Sequence, residues 1–298
     1  VDLPPDVRPV AVQLERVTKV FNDAPGVPPV LQDLSLRVAS GEFVCLLGAS
    51  GCGKSTLLNL VAGLESPTSG SIEVPGGRTA LMFQESALFP WLTAGKNIEL
   101  ALRLGGVPRA EWKPEIARLL ELVHLSGQGD KRVHELSGGM RQRVALARAL
   151  AQRARILLMD EPFAALDAIT RDVLHEELHR IWQEADLTVI FVTHNVREAV
   201  RLGQRVLLMS SRPGMFVRQW QIDIEGPRRI ESPGVSALSA EITEDLRREI
   251  RRHGEFTDDD GKGQERPRQD RHQHIRQDDA RQYGDPARAK ALRGLGQG

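Results

Sequence analysis

The chain has 298 residues, 41% hydrophobic and 27% charged, which is enough for one large domain or two small ones. Its 40 basic and 40 acidic residues cancel, so bulk electrostatics argues against nucleic acid and anionic lipid as partners. No stretch approaches the roughly 20 apolar residues that cross a bilayer, and the first residues lack a leader pattern, so we expect a cytoplasmic protein. The two cysteines, Cys45 and Cys52, are too few for a disulfide framework.

Apolar runs without alternation mark the predicted strands of a central sheet. They occupy residues 43–47, 80–83, 156–159, 189–192 and 206–209. Runs of this kind are typical of strands that are covered on both faces, as in parallel sheets. Helical patterns lie between them, at residues 55–64, 109–125, 140–152 and 170–184. The alternation of strand and helix predicts an α/β fold with a mainly parallel sheet.

The two ends of the chain depart from this alternation. Residues 12–14 and 34–38 alternate apolar and polar side chains, which predicts antiparallel strands appended to the sheet. Residues 216–224 predict one more strand, and residues 237–252 have the spacing of an amphipathic helix. From residue 253 onward few large apolar side chains are available to offset the entropy of ordering, so we expect a disordered tail.

A glycine-rich loop follows the first long apolar run. Its sequence, GASGCGKST, comprises Gly48, Ala49, Ser50, Gly51, Cys52, Gly53, Lys54, Ser55 and Thr56. The pattern G-x-x-x-x-G-K-[ST] between a strand and a helix predicts a cradle whose backbone N–H groups bind nucleotide phosphates. In such a cradle Lys54 reaches the β and γ phosphates, and Ser55 places its hydroxyl on Mg²⁺.

Two acids end the apolar run at residues 156–159. Asp160 fits the role of holding Mg²⁺, and Glu161 fits that of a general base for the attacking water. The alternative is that both carboxylates only cap the next helix. Because the same chain contains a phosphate loop, we favour the catalytic interpretation.

A second glycine-containing helix start precedes these acids. Ser137, Gly138 and Gly139 offer a hydroxyl and open N–H groups, so they form either a second anion site or a plain serine N-cap. The whole segment LSGGMRQRVALARAL, residues 136–150, resembles the signature segment of ATP-binding cassette (ABC) proteins. This resemblance extends over about residues 11–225, and it implies an ATP hydrolase with a P-loop core.

The resemblance also implies roles for four further residues. Gln84 matches the Q-loop glutamine that contacts Mg²⁺ and the attacking water, and His194 matches the switch histidine on the γ-phosphate. Asp167 lies in the D-loop, although Ala164 stands where many family members have serine. Phe21 takes the place of an aromatic residue that stacks on adenine. Without the family, Gln84 would be a loop amide, His194 a satisfied histidine and Phe21 a core residue.

The resemblance further implies an assembly. In this family two cassettes pair head to tail, so residues 137–139 would close over the nucleotide of a partner cassette, most simply a second copy. Residues 89–93, Phe-Pro-Trp-Leu-Thr, resemble the importer branch for nitrate, sulfonate and taurine. Their aromatic-proline turn is a candidate socket for a permease helix. The alternative is that Trp91 packs inside the helical subdomain.

The implied function is that of the ATP-hydrolysing subunit of a small-anion importer, with ATP and Mg²⁺ as cofactors, at the cytoplasmic face of the membrane. Its partners would be a second cassette, an integral membrane permease and, indirectly, an extracytoplasmic solute-binding protein. The ATP-binding domain would cover residues 1–225, with an N-terminal antiparallel β subdomain and a helical subdomain at about residues 85–150. A helical extension at residues 226–252 and the disordered tail at residues 253–298 would follow. The alternative is an ABC ATPase outside transport, which uses ATP-dependent dimerisation for interaction or regulation.

One motif points to a different chemistry. His175-Glu176-Glu177-Leu178-His179 satisfies the pattern H-E-x-x-H, which in zinc hydrolases places two histidines on one helical face. No third ligand follows it, and the segment lies on the helix after the D-loop. We therefore predict a solvated helix surface here and no zinc site.

Overall fold

The computed structural model describes residues 8–21, 26–224, 228 and 232–259. Residues 1–254 form one compact unit, and residues 255–298 form a second, of which only the end of a helix is described. Within these described residues the strands are β1 (Val10–Lys19), β2 (Leu31–Ala39), β3 (Phe43–Gly48), β4 (Ser69–Glu73), β5 (Thr79–Met82), β6 (Ile156–Asp160), β7 (Thr188–Val192), β8 (Arg205–Met209) and β9 (Phe216–Gln221). The α-helices are α1 (Lys54–Val61), α2 (Ala94–Leu104), α3 (Arg109–Leu122), α4 (Gly138–Ala151), α5 (Ala168–Ala185), α6 (Val196–Leu202) and α7 (Pro233–Asp259).

The main sheet has six strands in the order β5-β6-β7-β3-β8-β9. All neighbours pair in parallel except β8 and β9, which are antiparallel. Every residue of β3, β6 and β7 is buried, because helices of one apolar cluster cover one face and a second cluster covers the other. The predicted α/β class with a mainly parallel sheet is confirmed.

The N-terminal strands are antiparallel, as predicted. They do not extend the main sheet, however, and instead form a separate one. Its order is β2-β1-β4, and both pairings are antiparallel. Leu14 and Leu34 of this small sheet pack in the same cluster as Leu46 of β3 and Leu58 of α1. The small sheet therefore lies on the same face of the main sheet as α1, the helix that follows the phosphate loop. Its third strand, β4, was not predicted.

The helices α2, α3 and α4 pack together on the other cluster and make up the helical subdomain. Ile98, Leu102, Leu119 and Leu146 are fully buried between them. Helix α2 was not predicted, although its signals are present: Thr93 caps it by accepting a hydrogen bond from the Lys96 N–H at 3.2 Å. This subdomain carries both the loop after β5 and the glycine-rich start of α4.

Helix α7 begins before the predicted residue 237 and continues through residues 253–259, which were assigned to the tail. It buries Val235 and Ile242 against the main core and pairs Glu241 with Arg218 of β9 at 2.7 Å. Residues 260–298, the rest of the predicted disordered tail, lie outside the described residues. Throughout the described part of the chain, no helix combines the length and the apolar character needed to cross a membrane.

Candidate functional site

The phosphate loop joins the buried end of β3 to the first turn of α1. Gly51 and Gly53 have φ values of 77° and 97°, in the left-handed region that favours glycine. A Cβ on Gly53 would also lie 2.5 Å from Leu31 Cδ2, so a larger residue here meets both strain and a clash. Positive φ values at both glycines are the backbone conformation with which a loop before a helix can turn N–H groups toward an anion.

Lys54 is held inside this loop and is only 7% exposed. Its Nζ donates hydrogen bonds to the carbonyl oxygens of Gly48 at 2.8 Å and Ala49 at 2.9 Å. The Cys52 Sγ lies 3.6 Å from the same nitrogen. The ammonium charge is therefore fixed inside the loop, close to the N-terminus of α1.

Two of the three predicted magnesium ligands, Ser55 and Asp160, lie next to each other. Asp160 ends β6, is 8% exposed, and forms a side-chain hydrogen bond with Ser55 of α1. Burial raises the pKa of the Asp160 carboxyl, and the hydrogen bond with Ser55 opposes that rise. A buried carboxylate beside a hydroxyl is stabilised by a cation, and both groups are hard oxygen ligands.

Glu161 and His194 form a contact across the carboxyl ends of β6 and β7. His194 Nδ1 lies 3.0 Å from Glu161 Oε2. The parallel pairing of β6 and β7 puts Asp160 opposite Val192, which brings the following residues of both strands to the same edge of the sheet. Glu161 has a φ of 46°, and its N–H donates to the Val192 carbonyl at 3.0 Å, so a tight turn aims the carboxylate at His194.

Gln84 lies in the exposed loop between β5 and α2, and helix α4 holds that loop. The Gln142 side chain, 4% exposed, donates from Nε2 to the Gln84 carbonyl at 2.8 Å. Arg148 donates to the carbonyls of Ala87 at 2.6 Å and Ser86 at 3.1 Å. Sequence reasoning missed Gln142 and Arg148, because a contact over about sixty positions leaves no local pattern.

The glycine-rich start of α4 is exposed. Ser137 accepts a hydrogen bond from the Met140 N–H at 3.2 Å, so the N-cap interpretation of this serine holds as well. A Cβ on Gly139 would lie 3.1 Å from Leu166 Cδ2, which places the signature segment against the D-loop of its own chain. Asp167 caps α5 through Thr170, and this hydrogen bond lowers the pKa of its carboxyl.

Phe21 follows β1, and its ring is 57% exposed. The interpretation of this residue as part of the core is therefore wrong. Lys19 Nζ lies 4.9 Å from the ring centroid, a cation–π contact on one face. An exposed aromatic ring fits a stacking role.

The prediction that the H-E-x-x-H segment is a solvated helix surface is wrong for His175. His175 is 2% exposed because its face of α5 packs on α6 and on the Phe163 ring, whose centroid lies 5.1 Å away. Its Nε2 lies 2.6 Å from Oε1 of the buried Glu198. His179 contacts Trp182, and burial lowers its pKa. In the described ranges, no cluster of three or more His, Cys, Asp or Glu residues could hold a metal.

A phosphate loop on the central strand, with a histidine and two acids at the ends of the next two strands, defines a P-loop nucleotide hydrolase. Residues 31–164 match the ABC transporter family. The chain is 43% identical over 222 residues to the nitrate import ATP-binding protein NrtD of Synechocystis sp., covering 72% of this chain and 84% of that protein. It is 45% identical over 215 residues to the taurine import ATP-binding protein TauB of Mesorhizobium japonicum, covering 70% and 83% respectively.

A solved structure is similar as well. It is the dimeric, post-hydrolysis state of the ATP-binding cassette MJ0796 bound to ADP and Pi, with a TM-score of 0.66 and 31% identity. The match covers 72% of this chain and all of that one. The chain thus belongs to the ABC transporter family, as an ATP-binding protein that hydrolyses ATP. The family resemblance seen in the sequence is confirmed.

Proposed function

We propose that this chain is the ATP-hydrolysing subunit of an importer for a small anion such as nitrate, a sulfonate or taurine. It would bind to a separate permease at the cytoplasmic face of the membrane. An extracytoplasmic solute-binding protein would deliver the solute to that permease. The import functions named for the similar NrtD and TauB proteins support this assignment. The contact between Glu161 and His194 carries the hydrolytic part of the proposal.

ATP binds, in this proposal, with its phosphates on residues 48–56 and its adenine on the exposed Phe21 ring. Ser55, Asp160 and the Gln84 side chain supply oxygen ligands that suit Mg²⁺. When bound, Mg²⁺ neutralises charge on the β and γ phosphates. Lys54 has its ammonium group inside the loop, and it meets a phosphate oxygen by exchanging one of its present partners for it.

Hydrolysis requires a base for the attacking water, and we assign this role to Glu161. Its side chain is 17% exposed, so one side of the carboxylate is accessible to water. His194 Nδ1 holds Oε2 at 3.0 Å and leaves Oε1 to accept a proton. The His194 ring, which is 65% exposed, can turn its other nitrogen toward the γ-phosphate.

A second copy would complete the site. Ser137 is exposed at the positive end of α4, a 14-residue helix, and it would bind the nucleotide of the partner. Ile169, in the first turn after the D-loop, is 79% exposed, which suits an interface. The similar MJ0796 cassette was solved as a dimer bound to ADP and Pi, which supports pairing of two cassettes. We test it by mixing Ser137→Arg and Lys54→Ala chains, each inactive alone. Mixing should restore part of the ATPase activity, and a mixture without activity would contradict the shared site.

The permease would dock on Phe89 and Trp91. Their rings lie 5.4 Å apart, and Trp91 is 68% exposed, so the alternative that it packs inside the subdomain is wrong. Asn97 fixes this turn by accepting from the Phe89 N–H at 2.9 Å. The turn follows the loop that carries Gln84, so a docked helix can act on the nucleotide site.

Co-expression with a candidate permease tests this surface. Trp91→Asp should release the chain from the membrane fraction. Leu104→Asp is the matched control, because Leu104 is 70% exposed on the same subdomain but lies outside the aromatic turn. Equal retention of both variants would contradict docking at Trp91.

A separate experiment identifies the solute. The ATPase activity of the reconstituted complex is measured with the binding protein loaded by nitrate, sulfonate or taurine in turn.

A further inference from the structure

His175 belongs to a buried series of hydrogen bonds that ends on both sides of His194. Its Nε2 lies 2.6 Å from Glu198 Oε1, and the other carboxylate oxygen of Glu198 accepts from the Thr193 hydroxyl. The Thr193 Oγ1 accepts in turn from the Asn195 N–H at 3.0 Å. The residues directly before and after His194 are therefore both tied to this series.

The donors and acceptors of this series match one another. The Glu198 carboxylate accepts from the His175 Nε2–H and from the Thr193 hydroxyl, so the bonds assign the Nε2–H tautomer to His175. Glu198 is 6% exposed, and a carboxylate at that depth depends on its donors. If His175 cannot donate, the Glu198 carboxylate has to turn toward another donor. Because Thr193 is hydrogen-bonded to the same carboxylate, such a movement reaches Thr193.

His194 has little else to fix it. Its ring is 65% exposed, and among the described residues its side-chain hydrogen bond is the one with Glu161. The position of the ring therefore depends on the backbone on either side of His194. One further bond holds that backbone, because the N–H of Thr193 donates to the Leu46 carbonyl of β3 at 3.2 Å. His175 also packs edge-on against Phe163, two residues after Glu161. One buried side chain thus supports both members of the catalytic pair from behind.

We propose that His175 is a positioning residue for ATP hydrolysis. Through Glu198 and Thr193 it fixes the backbone that presents His194 to Glu161. Because His175 stands on α5, whose first residues follow Asp167, it also links the D-loop helix to the switch histidine. The proposal rests on the proposed role of His194 and gives the H-E-x-x-H pattern a purpose other than metal binding.

The test is the steady-state ATPase activity of the purified full-length chain and its variants. His175→Leu should lower kcat by about tenfold to a hundredfold, the scale of a small misplacement of a catalytic group, and leave the KM for ATP within about twofold. His175→Gln, whose amide can donate to Glu198, should recover most of the loss. His179→Gln, one turn along the same helix, is the matched control and should retain the wild-type kcat.

Three outcomes would overturn the proposal: a wild-type kcat in His175→Leu, an equal loss in His179→Gln, or no recovery in His175→Gln. Thermal unfolding of each variant separates misfolding from misplacement. If His175→Leu does not fold, Thr193→Val interrupts the same series from its other end and must show the same loss of kcat at unchanged KM. His194→Ala separates the role of His194 from that of His175. Wild-type activity in that variant would refute the proposed role of His194, whereas its loss beside an active His175→Leu would refute only the role of His175.

Discussion

Arg148 of α4 is the residue by which we expect to separate ATP hydrolysis from its coupling to a permease. Its guanidinium bonds the carbonyls of Ser86 and Ala87, in the loop between Gln84 and the aromatic turn. Ala87 has a φ of 44°, a left-handed conformation that an alanine adopts only under constraint. Arg148→Met keeps an unbranched apolar stem but removes the guanidinium and both bonds, so the loop should relax.

The magnitude follows from these contacts. Hydrogen bonds from a charged donor contribute about 1.5–3 kcal/mol each. Part of this stabilisation is offset in the wild-type protein, because burial disfavours the charged Arg148 side chain and lowers its pKa. In the variant, the exposed Ala87 carbonyl can be hydrated. The strain at Ala87, of order 1–3 kcal/mol, is also released. We expect the free energy of unfolding in urea to fall by about 2 kcal/mol.

The functional assay compares basal ATPase activity with the activity stimulated by permease and solute-binding protein. Arg148→Met should keep most of its basal activity and lose most of its stimulation. Arg143→Met is the matched control, since Arg143 also lies on α4 and bonds two carbonyls, of Val123 at 3.2 Å and His124 at 3.1 Å, away from that loop. Both variants should lose similar stability. An equal loss of stimulation in Arg143→Met would refute the reasoning, because the effect would then come from weakening α4 as a whole.

Three further predictions concern the nucleotide site. Glu161→Gln should bind ATP and accumulate as a dimer without turnover, as seen by size-exclusion chromatography with ATP and Mg²⁺; normal turnover would remove Glu161 from its role. Phe21→Ala should weaken ATP binding by about 1–2 kcal/mol, about five- to thirtyfold in Kd by calorimetry, whereas Phe21→Tyr keeps the ring and the affinity. Asp160→Asn should abolish hydrolysis yet raise the free energy of unfolding of the nucleotide-free protein at pH 7, because burial raises the pKa of the carboxyl and its charge disfavours the fold above that pKa. This gain should vanish as the pH falls below the ordinary value of 3.8, and a less stable variant at pH 7 would contradict it.

The sequence predicted those parts of the fold whose burial leaves a continuous trace. Strands β3, β6 and β7 are buried at every position, so each is an unbroken apolar run. Strand β4 contains one half-buried residue, Ile72, among exposed ones, and it lies at the edge of the small sheet, so it lacks that signal. Helix α6 has only seven residues, too few for a helical period to emerge.

In the candidate site too, residues in local sequence patterns were predictable, whereas contacts made by helix packing were not. Lys54, Asp160 and His194 stand in local patterns at strand ends, and the carboxyl ends of parallel strands meet at one edge, so their proximity follows from topology. The buried pair of His175 with Glu198 joins two helices 23 positions apart. Its geometry depends on how α5 packs on α6, and no spacing within either helix encodes that packing.

Helix α4 gives the proposed mechanism a length scale. Its first residues form the signature segment, while Gln142 and Arg148 farther along hold the loop that leads to Trp91. Fourteen residues of α-helix make a stiff rod of about 21 Å. If a partner nucleotide tilts that rod by about 10° about one end, the other end moves by about 3–4 Å, roughly two thirds of the 5.4 Å pitch of a docked helix. A displacement of that size needs no unfolding, so the chemical event and the mechanical one can share a single rigid body.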